Sequence, residues 1–83
     1  MRYAVVWNEV AERRLTHLWL GSRMRHAIKE AADRIDAALQ RDPHNCGESR
    51  EAGRRVMHEA PLGVMFTIDD SQRQVHVEAV WQF

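Results

Sequence analysis

Cysteine, lysine, tyrosine and long apolar runs are what this 83-residue sequence has least of. Cys46 is the only cysteine, so no intramolecular disulfide can form, and a reducing compartment fits. No apolar run approaches the roughly 18 residues that a membrane span needs. The first seven residues turn polar at Asn8 without the apolar stretch of a signal peptide. These absences predict a cytoplasmic protein with no membrane partner. The net charge is zero, from 12 basic and 12 acidic residues, which removes any bulk attraction to nucleic acid. Lys29 is the single lysine, and the other cations are arginines. Arginine suits bidentate contact with carboxylate or phosphate, although GC-rich coding produces the same bias.

What is present is ordinary for a folded domain: 45% apolar and 29% charged residues. The length predicts one domain over residues 1–83, with no repeat or linker. A chain this short buries only about 60–65% of its unfolded surface. Its core is therefore thin, and a partner or a second copy would add to its stability.

Tyr3 to Trp7 is β-branched and aromatic and predicts a first strand. Asn8 is a good N-cap, with Glu9 and Glu12 at the positive end of the helix dipole. Ala11, Leu15, Leu18 and Trp19 then recur at helical spacing, predicting a helix over 9–20 with Gly21 as its stop and Ser22 as the next cap. A second apolar stripe runs through Met24, Ile28, Ala31, Ile35 and Ala38 or Leu39. It ends at Asp42-Pro43, because the residue before proline leaves the α region. Lys29 and Asp33 are spaced to pair on its surface. The short link makes the two helices an antiparallel hairpin.

Residues 42–53 have loop composition. The remainder predicts strands: Arg55 to Glu59, then Val64, Phe66 and Ile68 in alternation. After the Asp69-Asp70-Ser71 turn, Val75, Val77, Ala79 and Trp81 alternate in the last run. The expected architecture is α+β, in the order β-α-α-β-β-β. An antiparallel sheet carries the helical hairpin on one face, and the other face is open or covered by a partner.

Candidate chemistry is sparse. Arg54 and Arg55 supply cations, and His58 and His76 supply groups that titrate near neutral pH. The pattern predicts both histidines on the open face with Glu78, a constellation able to protonate and deprotonate a phosphate ester. His44 and Cys46 are close in the loop, but no zinc-binding spacing occurs, so neither a metal nor a cofactor is expected. The Arg13-Arg14 and Arg23-Arg25 clusters lie on outer helix faces and are either solvated or partner-binding. Trp7, Trp19 and Trp81 are each core or interface. Trp81 and Phe83 on a final strand that ends as a free edge are the stronger interface candidates.

Three features together resemble the RelE/ParE toxin superfamily of type II toxin–antitoxin systems. They are the element order, the helix ending Ala32-Asp33-Arg34-Ile35-Asp36-Ala37-Ala38-Leu39-Gln40-Arg41-Asp42-Pro43, and the late strands. Those strands carry Gly53-Arg54-Arg55-Val56-Met57, then Pro61 to Ile68, then Val75-His76-Val77. The resemblance implies a cognate antitoxin that wraps the chain, and a role in plasmid stabilisation. It also implies a target, either DNA gyrase in the ParE manner or ribosome-bound message in the RelE manner. RelE-type cleavage uses basic residues and a late tyrosine. Here Gly63 stands where that family has an arginine, and Val56 stands at one of its two strand-two positions, leaving Arg54 as the counterpart. The segment that carries the tyrosine has no counterpart, since Tyr3 is the only tyrosine. The ParE-like mode, inhibition by protein binding, is therefore expected ahead of RNA cleavage. A toxin-fold module or oligomer that has lost toxicity is the third expectation.

Overall fold

The computed structural model describes residues 2–83. Strand β1 (Ala4–Trp7) leads into helix α1 (Glu9–Gly21) and helix α2 (Arg25–Arg41). Short β2 (Glu48–Ser49) lies between two 3₁₀ turns, and β3 (Arg55–Glu59), β4 (Leu62–Asp69) and β5 (Gln74–Gln82) follow. The strands form one sheet in the order β1-β5-β4-β3-β2.

The α+β order stands, with three corrections. The sheet is mixed rather than wholly antiparallel, because β1 runs parallel to β5, Ala4 beside Gln74 and Trp7 beside Val77. The last strand is consequently an interior strand, not a free edge. The expected loop contributes a fifth strand, Glu48–Ser49 pairing with Val56 and Arg55.

Helix α2 supplies the helical half of the core. Ile28, Ala31, Ile35 and Leu39 are fully buried, spaced by three or four residues so that they share one face. Ile28, Ile35 and Leu39 each contribute about 1.5–3 kcal/mol on burial. From the sheet come Met57, Leu62, Val64, Phe66, Val75, Val77 and Val80. Helix α1 buries only Ala11 fully, with Leu15 and Leu18 packed against the core. Asn8 caps α1 as predicted, its Oδ1 accepting from the Ala11 amide at 2.8 Å. Gly21 falls inside α1, and Ser22 closes that helix rather than capping the next. Met24 takes the cap position of α2, its amide bonded to Ser22 Oγ at 2.8 Å, so it lies outside the buried stripe.

The alternation expected along the last strand breaks. Val77 pairs with Phe66, Ala79 pairs with Met65, and Glu78 is left without an opposite number. This β-bulge shifts the side-chain period by one residue. Val75, Val77 and Val80 therefore face the helices, while Ala79 and Trp81 move to the other side.

Candidate functional site

The side of the sheet away from the helices carries Val6, Val56, Met65, Ala79 and Trp81, by register with one another and with His58, Gly63, Thr67 and His76. Both predicted histidines lie on this face, but they are not together. His58 pairs with Gly63 and His76 with Thr67, four residues apart along β4. At about 3.3 Å per residue that is roughly 13 Å, too far for both to reach one phosphate.

His58 belongs to an aromatic cluster instead. Its ring meets Trp81 edge-on at 5.8 Å and Phe83 at 5.3 Å. The Trp81 indole lies directly over Gly63, where a Cβ would collide with it. Phe83 remains 64% exposed.

The two candidate arginines differ. Arg55 grips the preceding loop: Nε donates to the Cys46 carbonyl at 3.0 Å, Nη2 to the Gly47 carbonyl at 3.2 Å and Nη1 to Ser49 Oγ at 2.7 Å. Three of its five donors are engaged, one on each nitrogen, so it clamps the loop. Arg54 is exposed and forms no ion pair among the described residues. Cys46 donates its thiol to the Asp42 carbonyl, and burial pushes that thiol's pKa up, away from nucleophilic use. His44 bonds not to Cys46 but to Asp70 Oδ1, at 2.8 Å. Tyr3 donates to the same oxygen at 2.6 Å. This hydrogen bond raises the phenol's pKa and lowers that of the Asp70 carboxyl. The Tyr3–Asp70–His44 group lies at the Asp69–Gln74 end of the sheet, opposite the His58 cluster.

A groove of about 450 Å³ lies between the two helices. Trp7, Leu15, Trp19, Ile28 and Ala32 give it an apolar lining, and Glu12, Lys29, Asp33 and Asp36 give it charge. Trp7 donates its indole N–H to Asp36 Oδ1 at 2.7 Å, so the strand holds the helix at this point. Lys29 and Asp33 form the expected pair at 3.1 Å. The sequence pattern did not show this groove. Trp7 and Trp19 carry the signal, but apolar spacing alone does not tell a groove wall from core.

Outside the groove, Arg13 pairs with Glu9 at 2.7 Å. Arg25 stacks over the Trp19 ring at 5.0 Å and donates to the Leu20 carbonyl at 3.2 Å. Arg14 and Arg23 are exposed and form no ion pair among the described residues.

Chains in solved toxin–antitoxin structures match this fold over nearly its whole length. A RelBE toxin–antitoxin complex of Mycobacterium tuberculosis contains a chain similar to this one, with TM-score 0.82 and 22% identity over 100% of this chain and 93% of that one. The fold is that of the RelE/ParE toxins. The chromosomal ParDE system of P. aeruginosa gives TM-score 0.77 at 12% identity, over 96% of this chain and 95% of that one. The intact E. coli RelBE complex gives 0.61 at 15%, over 98% and 96%. No protein-family model matches the sequence, and no curated protein does either. The RelE/ParE-like fold is thus shown by three-dimensional likeness at low identity, as a diverged chain would show it.

Proposed function

We propose that this chain is the toxin component of a type II toxin–antitoxin pair. It is held by a cognate antitoxin and acts by binding a protein in the ParE manner, with DNA gyrase as the target. The near-complete superposition on chains from RelBE and ParDE complexes carries this reading. The helical groove supports it, since an apolar lining with charged margins suits the apolar face of a partner's helix.

The preference for protein binding over RNA cleavage rests on geometry. Cleavage without a metal needs a base, an acid and a cation around one phosphate. His58 and His76 are apart, Arg55 is engaged, and Trp81 covers the Gly63 position. RelE chains are also among the structural neighbours, which favours ribosome-dependent cleavage as the second reading.

Pulse labelling of DNA and protein synthesis after induced expression separates the readings. DNA synthesis should fall first, and the purified chain should inhibit gyrase supercoiling. An earlier fall in protein synthesis, with cut ribosome-bound message, would transfer the assignment to the RelE mode. If neither falls, the chain is a non-toxic interaction module, and light scattering should then show a stable oligomer.

A further inference from the structure

The charge of this molecule is neutral only on average. From Arg13 to Lys29 there are five cations, two histidines and no acid; the rest of the chain carries seven cations against twelve acids. This segment is the last two and a half turns of α1, the link, and the start of α2. It therefore folds back on itself, with Arg23 and Arg25 at the tip of the hairpin and Arg14 about two turns back along α1, while Arg13 and Lys29 pair with Glu9 and Asp33.

Apolar surface is exposed at the same tip. Leu20 is 57% exposed, Met24 50% and Trp19 38%. Arg25 bridges the two helices there, stacked on Trp19 and bonded to the Leu20 carbonyl. Arg14 and Arg23 carry charges that no acid in the described residues neutralises. Helix α2 also starts against the usual preference. Its first turn holds Arg25 and His26 but no acid, and no side chain caps it, so cations stand at the positive end of the dipole. Folding gains nothing from that arrangement. An outside carboxylate would offset it.

We infer that the hairpin tip is a docking surface for an acidic protein segment. Carboxylates of that segment would pair with Arg14, Arg23 and Arg25, and an apolar side chain would cover Leu20 and Met24. Arginine, tryptophan and methionine are the residues enriched at protein interfaces, and methionine adapts its shape to a partner. A bilayer fits less well, because a single myristoyl chain already gives only marginal membrane binding and two side chains bury less. A nucleic acid fits less well, because the excess acid on the rest of the surface repels an extended polyanion. The surface adjoins the helical groove at Trp19 but is centred on Leu20, Arg23 and Met24, none of which lines the groove, and the inference does not depend on the toxin reading.

The test uses the full chain and a synthetic helical peptide of Glu-Glu-Leu-Leu repeats, with NMR amide shifts as the readout. Shifts should centre on residues 14–26, and affinity should fall steeply with salt. Arg14→Glu with Arg23→Glu should weaken binding at least about ten-fold, as expected for reversed interface charges. Leu20→Ser with Met24→Ser should weaken it while leaving the salt dependence unchanged. All four positions are exposed, so circular dichroism should show folded variants; Arg14→Ser with Arg23→Ser gives a milder second pair. Equal binding of the Lys-Lys-Leu-Leu peptide, shifts centred in the groove, or no effect of charge reversal would overturn the proposal. So would tighter binding to phosphatidylserine vesicles or to a short single-stranded RNA than to the acidic peptide.

Discussion

Arg55 shows how far a side chain's role depends on what surrounds it. In the sequence it is one of two adjacent cations and a candidate for phosphate chemistry. In the fold it closes the loop from Cys46 to Ser49 with three hydrogen bonds. Arg55→Ala should therefore cost about 1.5–3 kcal/mol, the range for hydrogen bonds to a charged group. Urea unfolding measures it. A loss of activity without loss of stability would restore a catalytic role. Gly47 belongs to the same loop. Its φ of +64°, and the Val56 carbonyl oxygen where a Cβ would stand, leave no room for a side chain. Asp70 gives a pH dependence. The Tyr3 hydroxyl first, and His44 second, hold its carboxyl below the usual value. Its stabilising contribution is thus present above the ordinary aspartate pKa of about 3.9 and lost as pH falls through the lower, folded value. The Tyr3 phenol is raised, chiefly by Asp70, so its contribution holds below about pH 10 and is lost as pH rises through the higher value. Asp70→Asn should remove this share of the acid effect, leaving that of Asp69, whose carboxyl the Ser71 hydroxyl and the Gln72 amide also hold low, and should bring the phenol's titration down towards normal. The single tyrosine makes that an unambiguous ultraviolet absorbance titration.

The elements differ in how much local sequence specifies them. Helix α2 was legible because its stripe and the Asp42-Pro43 stop are local signals. The Asn8 cap was legible for the same reason, and Asn8→Ala should cost about 0.5–2 kcal/mol in thermal or urea unfolding. The last strand was legible as a strand but not in its facing. Nothing in Val77-Glu78-Ala79 announces a bulge; it shows only against Phe66 and Met65 across the ladder. Deleting Glu78 should be tolerated. Without the extra residue, Val77 and Ala79 would be neighbours opposite Phe66 and Met65, so Val80 would still face the helices and Ala79 and Trp81 the other side. A native-like circular dichroism spectrum is the expected result; loss of that spectrum would mean that the bend made by the bulge is itself needed for folding. The candidate site fared worse than the fold. His58 and His76 share a face as the alternation implied, yet separation along the strands is a property of register, which one sequence does not display.

For the whole molecule, the groove and the hairpin tip make distinct demands on a partner: one apolar and flanked by charge of both signs, the other basic. An antitoxin helix seated in the groove should shield Trp7 and Trp19. Adding the partner at 100 times its Kd should raise stability by about 2.7 kcal/mol and shift tryptophan fluorescence. An unchanged fluorescence with full binding would locate the antitoxin elsewhere. Of the two surfaces, the groove was the less legible, because it sets Trp7 of β1 against both helices, whereas the tip lies in one stretch whose arginine clusters stand out in the sequence.

The parallel pairing of β1 with β5 has a consequence for synthesis. Ala4 and its partner Gln74 are seventy residues apart. At about 5–20 residues per second, β1 waits roughly 4–14 s for its neighbour to be made. Until then the helices have emerged but the sheet beneath them is incomplete, since β5 joins β1 to β4. The nascent chain therefore spends most of its translation unable to present a finished surface to any target. A binding protein already waiting in the cell could meet it at the moment its native form first exists.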